Sequence, residues 1–452
     1  MEQSLRATLT LFEATGDLRY VDRPVDPRYE LGAVLALRPD GPTLFFRRVT
    51  GYGMPVVGNL LNTRRKMALG LGLEPEQLQG RCLEALDKGC LPEITAGGAV
   101  QEEVIPDPGQ IAAFLPVPTW FELEAGPYIS AGVIVAKDVE TGRRNVSIAR
   151  LRLETGGLLL AGIAPTHHLA ELARRAGALG RPLEIAVCLG NHPAVLLASQ
   201  MYVDLGHDEF EIAGGLLGEP LRLARCVSVD LEVPAEAEIV LEGALYPNEL
   251  IEEGFVSEFH GFYEQYGPGQ AVRVQTITHR REPIYQAILP GYAPEHALLG
   301  GVAIEATTCR ALRRIIPRVK RVFLTEGGMG RLHAVITMSA PRAGEGQRAI
   351  MAALAQTNLL KHVVVVDDDV DPADPRQVEW AMAVRFRGQE DLVIVPGVMA
   401  DRCEPRKTNL TVTKIGLVAT SRPEDAEDGR KLIPARPPRE ILERVRKNPD
   451  AW

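Results

Sequence analysis

The chain has 452 residues, 46% hydrophobic and 24% charged, the balance of a folded globular protein and long enough for about two or three domains around a deeply buried site. Lys plus Arg number 50 against 59 Asp plus Glu, a formal charge of −9, which excludes a broad nucleic-acid-binding surface but not a pocket gathering a few arginines around a small anion. The longest apolar runs, 157–165 and 362–366, fall far short of the roughly 20 residues a membrane helix needs, and residues 1–17 carry no secretory pattern, so a cytoplasmic protein with no membrane partner is expected.

Residues 1–108 read as an α/β domain. Two short apolar runs, 31–37 and 43–48, flank Pro39-Asp40-Gly41 and read as strands around a turn. Asn62 can cap a helix over 63–70, and 74–88 repeats apolar positions at helical spacing up to Gly89. Periodicity is lost over 92–108, which marks a boundary.

Residues 109–300 carry strand-like runs at 129–137, 145–153, 183–189, 228–233 and 239–243, with strong helical windows only at 166–176 and 193–199. A β-barrel-like domain is expected. Residues 301–452 return to α/β, with helices at 303–316 and 347–356 and strands at 319–324 and 334–338. A further strand, 363–366, runs into Asp367-Asp368-Asp369 ahead of a helical window at 376–384, and the carboxyl end of such a strand is a place for a site. A charged, Pro-rich stretch over 423–438 reads as an extended arm before a short terminal helix. The fold class is mixed α/β (α+β). The six cysteines (82, 90, 188, 226, 309 and 403) lack paired metal spacing and read as reduced, mostly buried thiols.

Several groups of residues can carry chemistry. Glu253 and Glu258 lie five apart around Gly254, where a loop can aim both carboxylates into one cleft and raise the proton affinity of one of them; two solvated loop acids are the alternative. Arg150 shares a strand face with Val146 and Ile148, so it invites a carboxylate partner or else snorkels at an edge. His167-His168 can furnish a metal ligand and a ligand contact, or simply start a helix. Asp204, His207, Asp208, Glu209 and Glu211 can bind a hard cation or form a solvated loop.

Taken in order, Asn145/Arg150, His168, Ala198-Ser199-Gln200-Met201, Glu209, Gly218-Glu219-Pro220, Cys226, Val233-Pro234, Glu238-Ile239-Val240 and Glu253/Glu258 resemble the UbiD family of decarboxylases, which use prenylated flavin mononucleotide (prenylated FMN). Thr325-Glu326-Gly327, residues 366–371 and Thr413-Lys414-Ile415-Gly416 extend the resemblance over essentially the whole chain. The resemblance implies that the central domain binds flavin and that Arg150, Glu253 and Glu258 form the catalytic network. It implies cofactor contacts at Asn145, Ser147, Ile148, Arg150, His167, Met201, Glu209 and Lys414. A divalent metal (Mn2+ or Mg2+) would sit at Asn145, His168 and Glu209, and K+ near Ala198, Ser199 and Met201. Strict alternation sets Asn145 and Arg150 on opposite strand faces, which fits two parts of one site only if the strand bends or bulges.

The implied reaction is reversible, non-oxidative decarboxylation of an unsaturated or aromatic acid, with Glu258 as proton donor. His167, Phe259, His296 and Arg331 are the substrate-wall candidates. The short form resembles members that convert furan-2,5-dicarboxylate to 2-furoate, and a polar His296 suits a second carboxylate; a helix-start histidine without substrate contact is the alternative. The alternatives are a 4-hydroxybenzoate or polyprenyl-hydroxybenzoate decarboxylase, a non-catalytic flavin-binding protein, and a subunit of a multi-component enzyme. The expected partners are a small aromatic acid, a flavin prenyltransferase as cofactor supplier and further copies of the chain, as a dimer or hexamer.

Overall fold

The computed structural model describes residues 2–106, 109, 111–421, 435 and 437–447. The N-terminal layer combines helices Leu5–Ala14, Glu30–Ala36, Arg64–Gly70 and Leu78–Lys88 with strands Leu18–Val21, Thr43–Phe46 and Val56–Gly58. A much later strand, Tyr285–Gln286, completes this sheet by pairing parallel with Val56–Gly58. Residues 31–37, expected as a strand, are helical: Leu31, Gly32 and Leu35 present one buried face, a spacing that a short apolar run does not separate from a buried strand. Thr63, not Asn62, caps the helix Arg64–Gly70 by accepting from the Lys66 amide. Asn62 instead donates to the carbonyls of Pro39 (2.7 Å) and Gly41 (3.1 Å).

The centre is a nine-stranded sheet. Its main path runs Tyr128–Ile129, Arg150–Leu153, Leu158–Gly162, Gly269–His279, Ile239–Ile251, Leu183–Leu189, Val133–Lys137, Arg144–Ile148, with Glu103–Ile105 paired beside it. The strands Arg144–Ile148 and Arg150–Leu153 stand near opposite ends of this path, yet only Ala149 separates them in the chain. Consecutive Cα atoms are about 3.8 Å apart, so the sheet must curl until its ends meet, which makes it barrel-like. The expected strand at 228–233 is reduced to Glu232–Pro234 in a small separate sheet.

Helices His168–Ala178 and Pro193–Ala198 form as expected, and a third, Glu209–Leu217, joins them. Asp208 caps it by accepting from the Phe210 amide. The acidic start and Gly214-Gly215 hide this helix from a propensity reading.

In the C-terminal part the helix Pro294–Ile315 begins before residue 303 and runs across the expected division after residue 300. The sheet order is Val319–Leu324, His333–Met338, His362–Asp367, Thr411–Ala419, Leu392–Met399. Two residues of the triple aspartate serve an internal ion pair: Arg385 bonds Asp367 (2.8 Å) and Asp369 (2.8 and 2.9 Å). The terminal helix Arg439–Arg446 is present, whereas the arm expected over 423–438 lies, apart from residues 435, 437 and 438, outside the described residues. All six cysteines are free, four of them buried. Among the described residues no helix is long and apolar enough to cross a membrane.

Candidate active site

Two cavities adjoin where the ends of the central sheet meet. The larger, about 240 Å3, is lined by Arg150, Glu258, Phe259, His296, Arg331 and Arg402, among others. The smaller, about 120 Å3, is lined by Asn145, Ser147, His168, Ser199, Met201 and Glu209, among others. Ile148, His167, Gln200 and Tyr202 line both. The break at Ala149 resolves the alternation problem: Asn145 pairs with Ala136 on one strand neighbour and Arg150 with Gly162 on another. Each residue therefore faces its own cavity.

In the larger cavity Arg150 Nε and Nη2 donate to the two oxygens of Glu253, each at 2.6 Å, and Glu253 is only 1% exposed. This is the carboxylate partner that a buried strand arginine demands. A Cβ on Gly162 would lie 2.6 Å from both Arg150 Nε and Glu253 Oε1, so the pair rests against backbone that only glycine leaves clear. Gly254, at φ +79, turns the chain between the two glutamates. Glu258 follows the strand Phe255–Ser257 and lines the cavity itself, accepting from the Phe259 amide (2.9 Å) and the Tyr266 hydroxyl (2.8 Å).

Burial pushes the Glu258 carboxyl up, but the Phe259 amide, His296, Tyr266 and Arg150 outweigh it and hold it below the usual carboxylate range. This corrects the expectation of a raised acid: Arg150 neutralises Glu253, so no unpaired like charge faces Glu258.

At another wall, His296 Nδ1 lies 3.2 Å from the Gly291 carbonyl. A carbonyl only accepts, so Nδ1 carries the proton and Nε2 keeps a lone pair while the ring is neutral. Burial and Arg331 hold the ring below its ordinary value, with Glu258 opposing them. Arg331 donates to the carbonyls of Ala297 (2.9 Å), Gly330 (3.2 Å) and His296 (3.4 Å), and its guanidinium lies 5.8 Å from the Phe259 ring. It lines the cavity, with Nη1 and Nη2 engaged by carbonyls, two of them at the start of the helix that carries His296.

In the smaller cavity Glu209 accepts from Asn145 Nδ2 (2.9 Å) and the Val146 amide (2.7 Å), yet burial still pushes it up to about 8. Asn145 Oδ1 and Ser147 Oγ are buried without a hydrogen-bond partner among the described residues. His168, held below its ordinary value by burial, lines the same space. Among the described residues no cluster of three His, Cys, Asp or Glu side chains could hold a metal, so a cation here depends on the Asn145 amide oxygen, a donor set that fits a hard or borderline ion. Ser199 Oγ donates to the Leu196 carbonyl (2.7 Å), and Ala198 is buried at the end of its helix. Of the acidic stretch 204–211 only Glu209 lines this cavity; Asp208 is spent on its cap and on Arg144 at 2.7 Å.

Lys414, expected at the cofactor, is a correction. It lines neither cavity and is fully buried, with Nζ donating to the carbonyls of Leu354 (3.3 Å), Thr357 (3.2 Å) and Asn358 (3.3 Å). It closes the end of the helix Glu345–Gln356, where orphan carbonyls need donors. Sequence reasoning missed Tyr266 and Arg402, which line up around Glu258 only through tertiary folding. Tyr266 sits just beyond the Glu253/Glu258 segment, which is a weak local signal; Arg402 has none.

Three family models match consecutive segments: the 3-octaprenyl-4-hydroxybenzoate carboxy-lyase N-terminal domain over 9–86, its Rift-related domain over 93–293 and its C-terminal domain over 297–419. A relative from Methanothermobacter thermautotrophicus, named anhydromevalonate phosphate decarboxylase, is 35% identical over 90% of this chain and 95% of its own length. The solved UbiD-class enzyme HmfF from Pelotomaculum thermopropionicum, in complex with FMN, is 39% identical at TM-score 0.88 over 97% of this chain and 96% of that one. An evolved dimeric form of HmfF in complex with prenylated FMN is 38% identical at TM-score 0.89 over 100% of both chains.

Proposed function

Because the chain belongs to the UbiD family of carboxy-lyases and is a decarboxylase, we propose that it uses prenylated FMN to decarboxylate, reversibly, a small unsaturated or heteroaromatic acid bearing a second anionic group. The observation that carries this reading is the pair of adjoining cavities, one holding an Arg150–Glu253–Glu258 network and the other a carboxylate, an amide oxygen and an imidazole suited to a cation. Asn145, His168 and Glu209 would hold Mn2+ or Mg2+ at the flavin phosphate. K+ would lie near Ala198, Ser199 and Met201, with Ser147, Ile148 and His167 along the cofactor. Prenylated FMN, when bound, supplies the covalent attachment and electron sink that carbon–carbon cleavage requires.

The chain's own residues manage charge and protons. Arg150 fixes Glu253 and lends its field to Glu258. The carboxylate of the substrate adds negative charge beside Glu258 and raises its proton affinity. Glu258 then holds the proton that replaces carbon dioxide at the carbon, and takes one up in the reverse direction.

Furan-2,5-dicarboxylate, giving 2-furoate, is the first-choice substrate, with its second carboxylate at His296. For His296 Nε2 to donate to that anion the ring must gain a proton, so binding couples to proton uptake. A second reading is anhydromevalonate phosphate, whose phosphate suits the same wall and whose decarboxylase is a 35% identical relative. A cavity of about 240 Å3 walled by His296, Arg331 and Arg402 disfavours a polyprenyl tail, and the complete acid/base network argues against a non-catalytic flavin carrier. Assembly as a homo-oligomer, dimer or hexamer, belongs to the same proposal. The test is co-expression with a flavin prenyltransferase, the mass and spectrum of the bound flavin, and a screen of these acids for carbon dioxide release. Bound prenylated FMN with release from furan-2,5-dicarboxylate is expected; release only from prenylated 4-hydroxybenzoates would overturn the substrate.

A further inference from the structure

The C-terminal sheet contributes one more charged side chain to the larger cavity. Arg402 lies in the connection between the strands Leu392–Met399 and Thr411–Ala419. Its guanidinium stacks 4.1 Å from the centre of the Tyr266 ring, whose hydroxyl bonds Glu258 at 2.8 Å. The connection is fastened by ion pairs Glu404–Lys361 (2.7 Å) and Lys407–Glu264 (3.5 Å), the second reaching the strand just before Tyr266.

Unlike its neighbours, Arg402 makes no hydrogen bond or ion pair among the described residues. Adjacent Asp401 accepts instead from the Cys403 amide and thiol, each at 3.1 Å. Arg150, 5.3 Å from the same Tyr266 ring, has Nε and Nη2 committed to Glu253, and Arg331 has Nη1 and Nη2 on carbonyls. The guanidinium with its whole fork free therefore stands beside the proton donor.

We propose that Arg402 binds the scissile carboxylate of the acid substrate against Tyr266 and beside Glu258, while Arg150 serves to hold Glu253. The assignment rests on the reading of this cavity as the decarboxylation site, but not on which acid is the substrate. An arginine fork matches a carboxylate in two parallel bonds. Burial and the nearby Arg150 both disfavour the Arg402 charge, a cost that an anion between the two guanidiniums removes.

The test uses the cofactor-loaded enzyme and the variants Arg402→Gln and Arg402→Lys, with calorimetric binding of benzoate and of benzamide, which lacks the charge. Wild type should prefer benzoate by about 10- to 100-fold, the range of a charge-assisted hydrogen bond. Arg402→Gln should lose that preference and Arg402→Lys keep part of it, with the flavin spectrum unchanged in both. In turnover, Arg402→Gln should raise KM far more than it lowers kcat. Preference for benzoate retained in Arg402→Gln, or absent from wild type, overturns the proposal. Turnover of furan-2,5-dicarboxylate by wild type judges the substrate separately. If wild type ignores that acid but Arg402→Gln still loses the benzoate preference, the substrate reading fails alone. If wild type converts it and Arg402→Gln leaves KM unchanged, the Arg402 assignment fails alone.

Discussion

Around Glu258 in the larger cavity the buried acids have strong partners: Glu253 is matched by Arg150, and Glu258 is held by an amide and a hydroxyl. In the smaller cavity, Glu209 is buried against amides alone, and Asn145 Oδ1 and Ser147 Oγ have no partner among the described residues. The protein therefore stabilises one carboxylate as an anion and leaves another with a proton affinity raised to about 8. The first arrangement is preorganised by the chain itself; in the second, the proposed cation would take the place of a proton.

The sharpest way to break this contrast is Glu258→Gln, which keeps shape but removes the proton. Turnover should fall by roughly 10²- to 10⁴-fold with flavin content unchanged, and steady-state rates alongside the bound-flavin spectrum check it; near-normal decarboxylation would clear Glu258 of the role. Damage to the other cavity should show the reverse signature. His168→Ala is expected to weaken metal retention by about 10- to 100-fold and to lower flavin occupancy, read by metal analysis and absorbance on the purified protein. Unchanged metal and flavin would sink that assignment.

A smaller effect is expected at His296. Leaving a buried polar group unpaired costs about 1 to 3 kcal/mol, so His296→Asn should reduce the preference for furan-2,5-dicarboxylate over 2-furoate by about tenfold or more. Because burial and Arg331 lower the His296 proton affinity, the wild-type preference should decline with rising pH, and the variant's should not. Competition binding across pH decides it.

The mildest signal comes from Glu209. Its raised value, about 8 against an ordinary 4.5, means that its contribution to stability without a divalent ion is full below the ordinary value and is lost as pH rises through about 8. Melting temperatures of metal-stripped wild type should therefore fall relative to Glu209→Gln between those limits, and Mn2+ should restore wild type but not the variant. A flat difference across pH would mean that Glu209 is not the group the cation relieves.

The strand at 183–189 was legible because a largely apolar run with β-branched residues, bounded by Pro182 and Gly190, suits a buried strand. The short run at 31–37 was not, because its spacing satisfies helix and strand alike. At the site, the types and order of Asn145, Arg150, His168, Glu209, Glu253 and Glu258 sufficed to suggest a flavin decarboxylase. Their division between two cavities could not be read from them: it follows from the interruption of the strand at Ala149, where one segment changes strand partners as the sheet curls. Lys414 and Arg402 show the same limit from both sides. Each is a cation in the C-terminal part, and nothing local tells which will close a helix end and which will line the larger cavity. Local sequence sets the spacing and periodicity that make elements, along with the chemistry each residue can offer. Whether a charge is neutralised, spent on backbone or left free depends on what long-range packing brings within hydrogen-bond reach, and only the tertiary structure decided that.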